Sequence, residues 1–181
     1  MAEQIVLNWT DPNSVRKVIK VQAPRDVAWQ VFTEQMGTWW PLAVYKIGKA
    51  SAVDAIIEPR VGGRWYERGD DDSTCDWGRV LVWEPNSRLV LSWDINAEFQ
   101  YDPGLQTEIE VRFIAENDGS TRVELEHRRL DRFGDRREEM RTIFDKTGDW
   151  GQLLASFAQV AEASTTLADF KRRGIPKSVF L

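Results

Sequence analysis

The chain offers chemistry one histidine, His127, and one cysteine, Cys75. A lone imidazole can act as a general base near neutral pH, or orient a bound molecule by hydrogen bonding. It can equally be a buried, hydrogen-bonded core residue. A histidine-rich metal site, and any mechanism that needs two histidines, are excluded. A lone thiol forms no intrachain disulfide and no cysteine-rich zinc site. With no histidine near it in sequence, Cys75 reads as structural. The run Asp70-Asp71-Asp72 is acidic, and carboxylates suit hard cations such as calcium. It lacks the ligand spacing of a calcium loop and reads as a solvated hairpin tip.

Glu67 shares a strand face with Trp65. If that face points inward, a buried carboxylate needs a partner, which His127 or an arginine could supply. If it points outward, Glu67 is an exposed residue beside Arg68. The nine tryptophans are the other resource. Aromatic rings can line a cavity and stack on a ligand, or simply fill a core. Trp39 and Trp40 are adjacent. In an extended segment neighbours point apart, so one is expected to be exposed or at a cavity mouth.

These residues need elements to position them. Val15–Val21 is rich in β-branched residues and reads as a strand. Pro24 opens a helix to about Glu34, with Val27, Val31 and Phe32 at helical spacing. Gly37 interrupts the helical pattern before Trp39-Trp40-Pro41. Strands are expected over Arg64–Arg68, Gly78–Glu84, Arg88–Asp94, Thr107–Ile114 and Thr121–Arg128, with a further one over Ala52–Glu58. Pro85-Asn86 makes a hairpin of two of them. Thr107, Ile109, Val111 and Phe113 share one face, and Val123, Leu125 and His127 another. That alternation marks an antiparallel sheet with one packed face. Met140, Ile143 and Phe144 form a short apolar stripe. After Thr147-Gly148, the residues Trp150, Leu153, Leu154, Phe157, Val160 and Ala161 line one face of a long helix. The tail from about Thr165 reads as a solvated terminus.

One-sided strands need a cover. A single C-terminal helix can cover a curved sheet, and such a grip often leaves a cavity. The fold class is therefore α+β: a curved antiparallel sheet wrapped around a long C-terminal helix, with two short helices after the first strand. One domain spans 1–181, with its core over about 15–162, an N-terminal arm 1–14 and a tail 165–181.

Composition bounds the function. The chain has 181 residues, 42% hydrophobic and 29% charged, which is globular. Lys and Arg number 24 against 29 Asp and Glu, a net charge of −5. That balance argues against nucleic acid as the main partner. The arginines from Arg128 to Arg137 are interleaved with Asp131, Asp135, Glu138 and Glu139, a mixed-charge surface. No apolar run is long enough to span a membrane, and no signal peptide is visible. The expected compartment is the cytoplasm, and the Asn8-Trp9-Thr10 sequon is accidental there.

A set of segments resembles the START-like (SRPBCC) helix-grip superfamily, in the branch similar to the heat-shock-protein-90 ATPase activator. They are Val18-Ile19-Lys20-Val21-Gln22-Ala23-Pro24 with Val27-Ala28-Trp29, then Met36-Gly37-Thr38-Trp39-Trp40-Pro41. Val61-Gly62-Gly63-Arg64-Trp65-Tyr66-Glu67 and Trp77 to Pro85 follow. Arg88 to Trp93, Thr121 to His127, and Gly148-Asp149-Trp150 complete the set, over roughly Val15 to Glu162. The resemblance implies a hydrophobic cavity between sheet and long helix, for lipids, polyketides, hormones or other apolar ligands. It carries over no set of catalytic residues. The eukaryotic activator also has a separate N-terminal domain for which this chain has no room.

The first expectation is a module that binds a hydrophobic or aromatic small molecule between the sheet and the helix from Trp150. Phe32, Trp39, Trp40, Trp65, Trp93, Phe113, Trp150, Leu154 and Phe157 would line the site, and Glu67 and His127 would orient one polar group. No cofactor, metal, membrane or nucleic acid is expected, and the chain would be a monomer or homodimer. Two alternatives stand: a cyclase or hydrolase using His127 with a carboxylate, and a module that binds a chaperone.

Overall fold

The computed structural model describes residues 1–146 and 150–172, apart from the side chain of residue 170. The expected break at Thr147-Gly148, Asp149 of the last family segment, and the tail residues Arg173, Gly174 and Pro176 lie outside the described residues.

Eight strands form one sheet: β1 (Glu3–Ile5), β2 (Val15–Val21), β3 (Ala52–Ile57), β4 (Arg64–Gly69), β5 (Thr74–Glu84), β6 (Arg88–Trp93), β7 (Thr107–Ala115) and β8 (Thr121–Arg128). Their order across the sheet is β1-β2-β8-β7-β6-β5-β4-β3, antiparallel throughout. Between β2 and β3 come helices α1 (Arg25–Glu34) and α2 (Met36–Trp39). After β8 come a 3₁₀ segment (Leu130–Arg136), α3 (Arg137–Lys146) and α4 (Trp150–Arg172). This is the helix-grip architecture expected from the alternation of strands and the final amphipathic stretch.

The alternation of β8 is literal. Thr121, Val123, Leu125 and His127 are buried, while Arg122, Glu124, Glu126 and Arg128 are half-buried on the other face. In β7 one outward residue departs from this pattern. Glu110 is buried because Arg88, Arg112 and Arg128 converge on its carboxylate at 2.8, 2.9 and 3.6 Å. The arginine stems cover it, and the charge is paired.

Curvature comes from β5. Its register shifts once against β4 and once against β6, and bulges of this kind bend and twist a strand. Gly78 sits at the bend, where a Cβ would overlap the carbonyl oxygen of Ser92. Only glycine permits that approach.

Inside the curve, α4 packs its Leu154, Phe157, Ala158 and Ala161 against α1, α2 and the sheet. Phe157 meets Phe32 and Trp39 with ring centroids 5.3 and 5.6 Å apart. Full burial of such a side chain is worth about 1.5–3 kcal/mol. Ala158 takes part in this face, and Val160 lies only at its edge.

Four expectations need correction. The N-terminal arm contributes β1, which pairs with β2. The two short helices expected after β2 are present, but the interruption between them falls at Gln35, and Gly37 lies inside α2. Thr74–Trp77 extend β5 toward the β4–β5 turn, so that strand is longer than expected. The tail expected from Thr165 begins with more of α4, which continues to Arg172.

Candidate functional site

A cavity of about 340 Å³ opens at the N-terminal end of α4. Trp150 and Leu153 of α4 form one wall, and Ile143 and Phe144 of α3 continue it. The sheet contributes Trp77 and Trp93, followed by Ile95. Trp40, Val44, Tyr45, Lys46 and Ile47 close one side, and Phe99 stands opposite. Val44 and Phe99 are 70% and 54% exposed, so they mark the mouth.

The wall is an aromatic cluster. Trp40 lies 5.0 Å from Trp77 and 5.9 Å from Trp150, and Trp93 lies 5.8 Å from Trp150, centroid to centroid. These offset and edge contacts fix each ring against its neighbours. The indole N–H of Trp40 donates to the Tyr45 carbonyl at 2.9 Å, which folds the 41–45 turn back over the ring.

Of the expectation that one of Trp39 and Trp40 is exposed or at a cavity mouth, exposure is overturned, since both are buried, while Trp40 does line the cavity. The reason is the end of α2: Trp39, its last residue, points toward the Val31 carbonyl and Phe157, and Trp40, extended at the cap, toward the cavity. Of the other expected lining residues, Trp93 and Trp150 also reach the cavity. Phe32, Trp39, Phe113, Leu154 and Phe157 do not. They fill the body of the grip along α1 and α4. Trp65 lies one layer behind, its indole N–H against the Met36 sulfur at 3.2 Å. The open space is thus confined to one end of the long helix.

His127 is fully buried and is not in the cavity lining. The indole N–H of Trp150 donates to its Nδ1 at 3.2 Å, and its Nε2 lies 2.9 Å from Thr107 Oγ1. An indole nitrogen only donates, so Nδ1 accepts and Nε2 carries the proton. Thr107 then passes its own hydrogen to the Trp93 carbonyl at 3.0 Å. Burial lowers the imidazole to a pKa of about 3. Both nitrogens are engaged and the ring is neutral, which leaves no free general base at neutral pH. His127 instead sits behind three wall rings, 4.3 Å from Phe144, 5.5 Å from Trp93 and 6.0 Å from Trp150.

Glu67 is 2% exposed, so its face points inward. Its partners are neither His127 nor an arginine. Oε1 accepts from Ile47 N at 2.6 Å, Gly48 N at 3.0 Å and the Trp77 indole at 2.9 Å. Three N–H donors satisfy this oxygen, and no ion pair to Glu67 is formed among the described residues. The effect is to tie the 46–48 segment, and the Trp77 ring, to the sheet. Beside it, burial pushes the Cys75 thiol up, and the charge of Glu67 adds to this, so Cys75 stays protonated.

The mouth is shaped by a turn. Asn96 Oδ1 accepts from the backbone of Glu98 and Gln100, both at 3.0 Å, and Phe99 N donates to the Asn96 carbonyl at 2.9 Å. This turn holds Phe99 at φ +58°, an uncommon conformation for a bulky residue. Arg136 pins the turn to the segment after β8 through Glu98 at 2.8 Å. The acidic run 70–72 is the tip of the β4–β5 hairpin, closed by Ser73 on Asp71. Among the described residues no cluster of His, Cys, Asp or Glu could hold a metal, and no helix is long and apolar enough to cross a membrane.

Sequence reasoning missed Val44, Tyr45, Lys46, Ile47, Trp77, Ile95, Phe99, Ile143, Phe144 and Leu153 as site residues. The available signals were Phe99 in a polar loop, and the short apolar stripe of α3 directly before α4.

Comparison with known proteins places this geometry. An anthrahydroquino-gamma-pyrone synthase, Txn09, solved in complex with SUM, is 36% identical. It covers 83% of this chain and 99% of its own, with a TM-score of 0.57. CalC, a self-sacrificing resistance protein from Micromonospora echinospora, is 28% identical over 84% of this chain and 96% of its own, with a TM-score of 0.60. Protein NE0264 of Nitrosomonas europaea shares the fold at 13% identity over 87% of this chain and 99% of its own, with a TM-score of 0.62. No curated protein matches the chain. The family described as Activator of Hsp90 ATPase homolog 1-like protein matches residues 22–162. With most of its length matched, the chain belongs to that family, within the START-like helix-grip superfamily.

Proposed function

We propose that the chain binds an apolar, flat small molecule in the cavity at the N-terminal end of α4. The observation that carries this is the space itself: about 340 Å³, walled by Trp40, Trp77, Trp93 and Trp150 with aliphatic side chains between them. Ligand sites run from about 300 to 1,000 Å³ and are mostly apolar. Parallel support comes from Txn09, a synthase by name, which shares 36% identity and was solved in complex with SUM.

Titration with the neutral fluorophore N-phenyl-1-naphthylamine, followed by quenching of tryptophan emission, tests the reading. Saturable one-to-one binding is expected. Leu153→Trp, which fills the space from α4, should weaken it at least tenfold. Absence of saturable binding, or equal binding by the filled variant, would reject the proposal.

One observation favours a second reading, catalysis on the bound molecule: the name of Txn09 is that of a synthase. The acid–base group first expected for it, His127, is sealed behind the wall, so catalysis here would rest on shape and positioning of a reactive ligand. Chaperone binding is supported by the family's name alone.

A further inference from the structure

Among the residues that line the cavity, Lys46 is the one that carries a charge. Its Nζ donates to the Gly48 carbonyl at 2.7 Å. Lys17 and Lys20 pair with Asp145 and Asp118, whereas Lys46 has no carboxylate partner among the described residues. Glu67, whose Oε1 accepts from Ile47 N, Gly48 N and the Trp77 indole, makes no ion pair with Lys46. Two of those bonds fix the backbone next to Lys46, so this lining residue is carried by a tethered segment. At the mouth, the carboxylate of Glu98 is already matched by Arg136. An otherwise apolar lining therefore includes one cation that has no ion-pair partner among the described residues.

We infer that the ligand of this cavity is an amphiphilic acid: an apolar body that fills the space among the tryptophans, and one anionic group held by Lys46. This rests on the cavity-binding reading above and adds the charge of the ligand to it. A lone positive charge beside low-dielectric walls attracts an anion more strongly than it would in open water. A second charge on the ligand would meet only aromatic and aliphatic groups, so one acidic group is the limit. Within the binding site, Lys46 sets specificity by charge, and Glu67 is the positioning residue behind it.

Two probes with the same aromatic body separate these claims. 1-Anilinonaphthalene-8-sulfonate carries a sulfonate, and N-phenyl-1-naphthylamine is its neutral counterpart. Lys46→Met should weaken the sulfonate about tenfold and change the neutral probe less than twofold, and Lys46→Arg should restore the sulfonate. Added salt should weaken the sulfonate and leave the neutral probe unmoved. Equal effects of Lys46→Met on both probes, or none on the sulfonate, would overturn the inference while leaving cavity binding intact. Failure of both probes to bind the wild-type protein would overturn the cavity reading and this one with it.

Discussion

Trp150, at the first described residue of α4, gives its indole hydrogen to Nδ1 of His127 across 3.2 Å. The bond joins the wall of the cavity to the last inward residue of β8. It also fixes the tautomer, since Nε2 must then donate to Thr107. The one histidine of the chain is a pin that holds wall rings in place.

Removing the donor tests that role. Trp150→Phe keeps most of the ring but leaves Nδ1 buried without a partner. We expect a loss of about 1–3 kcal/mol of stability, the cost of an unsatisfied buried polar group. Urea unfolding measures it, and a loss within about 0.5 kcal/mol, the range of neutral surface changes, would contradict the pin.

His127 also sets a pH dependence. Its folded pKa of about 3 lies below the ordinary value of 6.5. The unfolded chain therefore takes up a proton that the folded chain refuses. Stability from this group is complete above pH 6.5 and falls as pH drops toward 3, by about 1.4 kcal/mol per pH unit at the steepest. Unfolding measured across that window should show the slope, and His127→Gln should lose one proton of it. In a nitrogen–proton correlation spectrum the ring should stay neutral, protonated at Nε2, throughout pH 5–8.

Glu110 acts at lower pH. Burial alone would push its carboxyl up, but hydrogen bonds from Arg88 and Arg112 overcome this and hold it below 4.5. Its contribution is present above pH 4.5 and is lost as pH falls through the lowered value. Glu110→Gln should flatten the acid limb of the stability profile without altering binding in the cavity, which opens on the opposite face of the sheet.

Phe99 separates stability from function. Holding a bulky residue at φ +58° costs about 1–3 kcal/mol, and asparagine tolerates that region. Phe99→Asn should leave stability unchanged or raise it by about 1 kcal/mol, yet weaken binding of an apolar probe several-fold. A loss of stability with unchanged binding would show that Phe99 serves the fold and not the mouth.

Much of this was legible from periodicity. β2 and β8 match residue for residue because each buries one face, and α1 follows from Pro24 with the Val27, Val31, Phe32 spacing. β1 was not legible, since its three residues are exposed and pair through backbone alone. Gly37 reads as a helix breaker, but it sits within α2 where Asp54 of β3 packs against it. The inward face of His127 followed from alternation, while its bond to Trp150 joins residues 23 apart in sequence and has no local signal. The cavity was the hardest part. Its closing residues Val44 to Ile47, Ile95 and Phe99 lie in loops, which have no period to read.

The central claim is that the space among Trp40, Trp93 and Trp150 holds an apolar ring. A crystal structure of the protein with N-phenyl-1-naphthylamine tests it most directly. The account predicts density for the probe in the space bounded by Trp40, Trp93 and Trp150, with Phe99 beside it at the mouth. Saturable binding in solution with the probe elsewhere, and this space closed by side chains, would contradict it.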